Sequence, residues 1–408
     1  MSANILPLRN REFGKLWLGQ VFSQMGTRMY QIAIAWWIVK RGGDSQGLYL
    51  GILFVLASLP ALAFVKKIAR LVEESNAKKI IFWSDVSAVI VTLSLYLFIS
   101  ANFDLLLPIY FVGFLLATFQ SAIDPSLFKA ASESVAKEDM ESAVGLITTT
   151  TTVASFLGAF VGAGAMSVLS FEALVLLNAL SYALSAVLTA SVKFKFSTKN
   201  KAAVGPSAPS AEPETSLESI PAYSIIKSIL LVFASVNFFS VPTLILIPIY
   251  TNRVLKGEAS QLALMEGALA LGLLLGSLLS SRFKTSAVPM NTVFWCLLSF
   301  AGFLALPVFL KSSSWYFLSL CGAGFSMGLS NVKIITYFES AIPAGLKGRF
   351  FAYLNAAVSP AIPISFFIFG LVIGMMPLEQ VILIQAAGVA ILSFLIVKIS
   401  KREAKLWR

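Results

Sequence analysis

Histidine does not occur among the 408 residues. The chain therefore has no imidazole metal ligand, no Ser-His-Asp relay and no histidine proton shuttle. Cysteine is nearly absent as well. Cys296 and Cys321 both fall inside apolar runs, where they read as small buried hydrophobes and argue against a disulfide framework. Charged residues are only 12% of the chain, against about a quarter in soluble domains. No Gly-x-x-x-x-Gly-Lys-Ser/Thr loop is present to cradle nucleotide phosphates, and the Gly-Leu-Lys-Gly-Arg run at 345–349 does not replace one. With ATP-driven work by this chain alone disfavoured, an ion gradient is the ordinary energy source left. No nucleophile and base stand together, so neither an enzyme nor a bound cofactor is expected.

What fills the chain instead is apolar sequence, with 57% hydrophobic residues and a mean hydropathy of +0.83. Runs of about 20 such residues are long enough, as helices, to cross a hydrocarbon layer of about 30 Å. They recur near 14–40, 47–65, 79–101, 105–128, 143–168, 172–192, 224–251, 259–281, 289–310, 315–338, 350–376 and 379–398. Short alternating segments, the mark of an outer-membrane barrel, are missing. The expected fold class is an all-α integral membrane protein of twelve transmembrane helices. The amino-terminal run is longer than a signal-peptide core and is expected to stay as the first helix.

A polar stretch rich in Pro, Ser, Ala and Glu divides the twelve into six and six. The expected organisation is a six-helix bundle over 1–192, a flexible cytoplasmic linker over 193–223 and a second six-helix bundle over 224–408. Lys and Arg crowd into alternate loops and both ends. The opposite loops hold only Lys40, Arg41, Arg253, Lys256 and Lys311, and Arg28 lies inside a helix. Because cytoplasmic loops retain positive charge, both termini are read as cytoplasmic. The same asymmetry accounts for the net charge of +11 as topology and attraction to anionic lipid, without a nucleic-acid partner.

Polar residues within the apolar runs are the best guides to a site, since a charge near the bilayer centre needs a partner or a wet cavity. On the first run Gln20, Gln24, Arg28 and Gln31 recur at spacings of four, four and three, which puts them on one helix face. They read as a substrate stripe or, for Arg28, as an ion pair stitching the bundle. Gln120 and Asp124 stand four apart on the fourth run, beside Pro125. A carboxylate in a partly dry cavity suits proton binding and release, which makes Asp124 the leading proton-coupling candidate. A solvated helix-end charge is the plain alternative. Glu266 is a second coupling candidate, unless it snorkels to the outer surface. Ser326, Ser330, Lys333 and Tyr337 repeat the stripe on the tenth run, where Lys333 reads equally as a positive-inside anchor. With Arg28 it would make a cavity electropositive and favour an anionic substrate. Asn237 offers a neutral hydrogen bond or core packing. Thr148 to Thr152 are expected to bond their own backbone.

The halves also echo each other, as transporters built from repeats do. SAIDPSLFKAASESVAKEDMESAVG follows the fourth run and GLSNVKIITYFESAIPAGLKGRFFAYLN the tenth. These stretches, with REFGKLWLGQVFSQMGTRMYQIAIAWWIV at 11–39 and IPAGLKGRFFAYLNAAVSPAIPISFFIFG at 342–370, resemble the major facilitator superfamily. The resemblance extends to its branch of macrolide efflux proteins and enterobactin-type siderophore exporters. It implies two six-helix bundles working by alternating access, with the first, fourth, seventh and tenth helices lining a central cavity. Gln24, Arg28, Gln31, Gln120, Asn237, Ser330, Lys333 and Tyr337 would then face substrate. The family's loop between helices 2 and 3 is a charged latch. Here Glu73 keeps its acid, Glu74 stands where an arginine belongs, and Asp85 matches the acid on the next helix, leaving Arg70 or Lys78 to supply the cation. The antiporter Gly-Pro pair is missing from the fifth helix. Gly158-x-x-x-Gly162 and Gly272-x-x-x-Gly276 would serve a rocking interface, and Pro242, Pro248, Pro360 and Pro363 would supply kinks.

Together these readings describe a monomeric secondary transporter of a bacterial inner membrane, surrounded by lipid. It would export small amphipathic organic molecules, anionic ones among them, in exchange for protons or another ion. The same fold running inward as an importer of a siderophore or anionic nutrient, and a non-transporting receptor or scaffold, are the rival readings.

Overall fold

The structure is a computed structural model, and it describes residues 10–101, 105–135, 139–193, 223–283 and 289–406. Every regular element among them is helical. The helices are α1 (Arg11–Arg41), α2 (Gln46–Ala63), α3 (Val65–Glu74), α4 (Ala77–Ser100), α5 (Leu106–Ser134), α6 (Met140–Val168) and α7 (Phe171–Ala190). They continue with α8 (Tyr223–Ser240), α9 (Thr243–Arg253), α10 (Ala259–Leu279), α11 (Pro289–Phe309) and α12 (Ser313–Ala341). The last three are α13 (Lys347–Val358), α14 (Ala361–Met375) and α15 (Leu378–Leu406). By length and composition, ten spans among the described residues are fit to cross a membrane. The expected linker falls almost wholly on residues 194–222, outside the described ones.

Local sequence explains where these helices start and break. Asn76, Ser170 and Ser312 cap α4, α7 and α12, their side-chain oxygens accepting from the backbone N–H three residues on. The expected seventh and eleventh runs each become two helices, parting beside Pro242 and Pro360, residues without an N–H to give the preceding turn. Pro248 and Pro363 stay within α9 and α14. At the start of α1 the Glu12 carboxylate accepts from Lys15 Nζ at 2.8 Å and from the Lys193 backbone N at 2.6 Å. The Lys15 bond, and after it the Lys193 bond, hold this carboxyl below the ordinary glutamate range.

The helix α3 takes the place of the expected latch loop. Ile68 and Val72, one turn apart, pack against Ile80 and Ala122, while Lys66, Lys67, Arg70, Glu73 and Glu74 stay exposed. A short amphipathic helix of this kind is readable from the spacing of its apolar residues.

Two compact units result. One comprises Met1–Ile38 with Leu56–Gly205, the other Val39–Val55 with Pro206–Arg408. In the first, α4 packs on both α5 and α7. In the second, α12 packs on α10 and α11, and α15 on α11 and α8, around an apolar cluster that includes Ile229, Leu297, Phe300, Phe338, Phe350, Val389 and Ile396.

The glycine pairs act inside these units, where a rocking interface had been expected. A Cβ on Gly158 would meet the Met25 carbonyl and the Arg28 Cβ at 2.9 Å, so α6 lies directly on α1. Gly272 and Gly276 of α10 face the backbone of Cys321 and Phe325. In return Gly324 and Gly328 of α12 face the backbone of Leu269 and Leu273. Small residues on both partners allow main chains to touch, which is how helices associate where lipid supplies no hydrophobic drive.

Candidate functional site

In the first unit α1 is held between two neighbours. Gly19 and Gly26 set it against Ser185, Ser181 and Asn178 of α7, while Gly158 and Gly162 of α6 approach Met25 and Met29. The polar stripe of α1 is divided by this packing. Gln20 is buried and donates to Ser185 Oγ at 3.2 Å, so it belongs to the bundle core. Gln24 and Arg28 are half-buried and Gln31 is exposed. Arg28 rests its stem in the space left by Gly158, and its Nη1 donates to Gln31 Oε1 at 3.4 Å. A guanidinium can lay its methylenes along an apolar helix in this way and keep its charged end at the surface.

Gln20 and Gln24 also line a small recess with Trp17 of α1, Leu127 and Ala130 of α5, and Ile147 and Thr150 of α6. The Trp17 indole N–H donates to Thr150 Oγ1. Thr148 and Thr150 donate to the Val144 and Leu146 carbonyls, as expected of helix threonines. On α5 Gln120 Nε2 donates to Asp124 Oδ1 at 2.6 Å, and Asp124 is exposed. Of the site candidates in this unit, Gln24, Arg28 and Gln31 on α1 and Gln120 and Asp124 on α5 are accessible.

The candidates of the second unit are placed differently. Ser330, Lys333 and Tyr337 are buried rather than open to a substrate. The glycine contact draws α12 onto α10, and Lys333 Nζ reaches past the far end of that partner to donate to the Phe283 carbonyl at 2.8 Å. Asn237 donates to the Phe233 carbonyl of its own helix. Glu266 is buried and does not snorkel. Close by, the rings of Tyr250 and Tyr316 pack at a tilt of 35° with centroids 4.3 Å apart, and Tyr250 donates to the Pro307 carbonyl.

The latch expected among Glu73, Asp85, Arg70 and Lys78 is not assembled. Arg70 pairs with Glu74 at 2.7 Å on the exposed side of α3, because that segment is helical and puts the two one turn apart. Lys78 donates to the Ala190 and Val192 carbonyls at the end of α7. Glu73 contributes its backbone carbonyl, and the cation it meets is Lys129 of α5, which donates to the carbonyls of Val72, Glu73 and Ser75 at 2.6–3.0 Å. The sequence reading passed over Lys129. Its signal was a basic residue near the end of an apolar helix, the same signal that marked Lys333. Lys129 caps the end of α3, where unpaired carbonyls favour a cation, and Lys333 binds the chain four residues past the end of α10.

Asp85 is fully buried, and its Oδ2 accepts from Ser185 Oγ at 2.7 Å. The α7 face that receives it, Asn178, Tyr182, Ser185 and Thr189, has spacings of four, three and four. That pattern matches the α1 and α12 stripes and was legible in the sequence.

A bundle of long apolar helices with interrupted spans and polar faces is the architecture of a membrane transporter rather than an enzyme. The profile of the Major Facilitator Superfamily matches residues 16–366, and the chain belongs to that family. Among curated proteins it is 22% identical over 366 residues to macrolide efflux protein A of Streptococcus pyogenes, covering 86% of this chain and 87% of that one. Among solved structures it resembles the nucleoside transporter NupG (TM-score 0.73, 12% identity, 95% of this chain and 98% of that chain). It also resembles a bacterial homologue of the iron transporter ferroportin in its inward-facing state (TM-score 0.71, 13% identity, 96% and 98%). At these identities the structures speak for the fold.

Proposed function

We propose that this protein is a proton-coupled secondary transporter that exports small amphipathic organic molecules, anionic ones included, by alternating access. In this reading twelve helical segments cross the plasma membrane of a bacterium with both termini cytoplasmic, and the chain works as a monomer. The observation that carries the proposal is Arg28. It is a guanidinium in the middle of a long helix, half-buried, with Gln24 and Gln31 on the same side. A cation is retained in an apolar helix when it meets a wet surface or an anionic partner. Gln120 and Asp124 add hydrogen-bonding capacity on α5. The likeness to a macrolide efflux protein favours export and an amphipathic substrate. Asp124, exposed, and Glu266, buried, are the carboxylates that the sequence offers for coupling.

Flux of amphipathic anions and cations in proteoliposomes, under a pH gradient of either sign, tests the proposal. Gradient-driven flux that Arg28→Ala abolishes while Arg28→Lys retains part of it is the expected result. Full flux in Arg28→Ala removes α1 from the substrate path. Absence of flux under any gradient, with ligand binding intact, favours a receptor.

A further inference from the structure

The first unit carries a buried polar seam that neither the stripe of α1 nor the expected latch uses. On α1, Gln20, Ser23, Thr27 and Tyr30 recur at spacings of three, four and three, so they share one face. Asp85 and Thr92 stand two turns apart on α4, and Asn178, Tyr182, Ser185 and Thr189 line α7. Apart from Thr27, which is half-buried, all of them are at least nine-tenths buried. Some are paired. Gln20 Nε2 donates to Ser185 Oγ, Ser185 donates to Asp85 Oδ2, and Thr27 Oγ1 lies 2.8 Å from the Tyr182 hydroxyl. Others have no hydrogen-bond partner: Gln20 Oε1, Ser23 Oγ, Tyr30 OH, Asp85 Oδ1, Thr92 Oγ1, Asn178 Nδ2 and Thr189 Oγ1.

Buried polar atoms are nearly always satisfied, so seven open valences in one three-helix seam call for an explanation. Each is a place for a bridging water or a shared proton. The seam is drawn out rather than gathered to a point. From residue 20 to residue 30 the axis of α1 rises about 15 Å at about 1.5 Å per residue. A metal cage needs its oxygens around a single centre, whereas a file of hydroxyls, with amides to orient bridging water, suits proton movement.

Among the described residues no lysine or arginine forms an ion pair with Asp85. Its hydrogen-bond partner is Ser185 of α7, whose hydroxyl also accepts from Gln20 of α1. The ionisable groups of α5, which also packs on α4, are engaged elsewhere. Asp124 bonds Gln120, and Lys129 bonds the α3 terminus, with Glu133 at 4.0 Å from it. Lys78, at the start of α4, is bound to the end of α7. An unpaired carboxylate at zero exposure is costly, and a carboxyl that carries its proton is not. An approach to the pair exists. The recess beside Trp17 and Gln24 is walled by Gln20, whose amide is bonded to Ser185 on the Asp85 side.

We propose that Asp85 is a proton-exchange site, reached from the Trp17–Gln24 recess by bridging water that Gln20 and Ser185 orient, and continued along water-bridged hydroxyls of α1, α4 and α7. As the coupling site of transport it rests on the export reading above. Its chemistry is balanced by one proton, taken onto or released from an Asp85 oxygen and passed to solvent.

Infrared spectroscopy of the full-length protein in lipid tests the site without requiring a substrate. A protonated-carboxyl stretching band that appears and disappears reversibly with pH, vanishes in Asp85→Asn and shifts in frequency in Ser185→Ala is expected. A band that stays constant at every pH, or one unaltered by either substitution, overturns the proposal. So does a band displaced by sodium at fixed pH, which would make the seam a cation site. The flux assay reports separately on coupling. Wild-type flux indifferent to the pH gradient refutes the coupling reading, while the infrared titration still decides whether Asp85 exchanges a proton. Gradient-driven flux that persists unchanged in Asp85→Asn refutes Asp85 as the coupling group.

Discussion

Between α1, α4 and α7 the first unit buries a carboxyl, two amides and a file of hydroxyls, whereas at the α10–α12 contact the second unit brings main chain against main chain through four glycines. Of the nine buried side-chain polar atoms without a partner among the described residues, eight belong to the first unit, and Ser330 alone to the second. Yet the second unit buries polar side chains too, such as Thr251, Gln385 and Ser365. These donate to the Ile247 carbonyl, to Thr243 Oγ1 and to the Phe238 carbonyl. What differs is satisfaction rather than polarity. A unit whose polar groups are nearly all answered packs into one arrangement. One that leaves valences open holds a place where water, protons or a changed partner can enter. On the proposal above, the coupling group lies in the first unit, the one with the open valences.

The largest break in that comparison is expected from Gly324→Val. The added carbons meet the backbone of Leu269 and Leu273, which cannot yield as a flexible side chain would. We expect a loss of about 3 kcal/mol or more, near the upper end for overpacking, read as a lower thermal midpoint of the detergent-solubilised protein. Gly302→Ala, where nothing lies within 4 Å, serves as its opposite. A gain of about 0.5–1 kcal/mol follows there from helix propensity. Equal effects from the two would show that the α10–α12 contact is not tight.

A smaller effect is expected from Lys129→Met, which removes three charge-assisted bonds to the α3 terminus. The cost is about 2 kcal/mol, concentrated in α3, so amide exchange should quicken over 65–75 and stay unchanged in α12. Lys333→Met should do the reverse, quickening exchange where α10 ends. Uniform quickening through the chain would show that neither lysine acts as a local cap.

The smallest effect sharpens the argument from open valences. Ser23→Ala takes away a hydroxyl that has no partner, and stability should change by less than about 0.5 kcal/mol. Ser185→Ala leaves Gln20 and Asp85 each without a bond, and should cost about 1–3 kcal/mol. A Ser23→Ala cost as large as that of Ser185→Ala would mean the Ser23 hydroxyl is already engaged.

Much of the fold was legible because long apolar runs have few other options. The run expected at 172–192 is α7 at Phe171–Ala190, and the one at 259–281 is α10 at Ala259–Leu279. Proline marked the breaks at 242 and 360 because a missing N–H acts locally. Residue faces were legible as well, since spacing along a helix fixes them. Which neighbour each face meets was not. Gln20 and Gln24 share a stripe, yet one bonds α7 inside the bundle and the other borders a recess. Lys333 and Arg28 both read as cavity cations, Lys333 equally as an anchor, but Lys333 reaches past the end of α10 while Arg28 keeps an accessible head. Asp85 looked like a latch acid by its place in the chain, and its partner proved to be a serine 100 residues away.

By itself, then, the sequence determined that the chain is helical, where its segments begin and break, and which residues share a helix face. Those follow from hydropathy, from proline and from the 3.6-residue turn, all local properties. Tertiary structure decided which polar face is answered and which is left open, because that depends on the helix brought opposite it. Glycines at 26, 158, 272 and 324 choose those neighbours by letting backbones close to contact, and a glycine in a sequence does not say whose backbone it will meet.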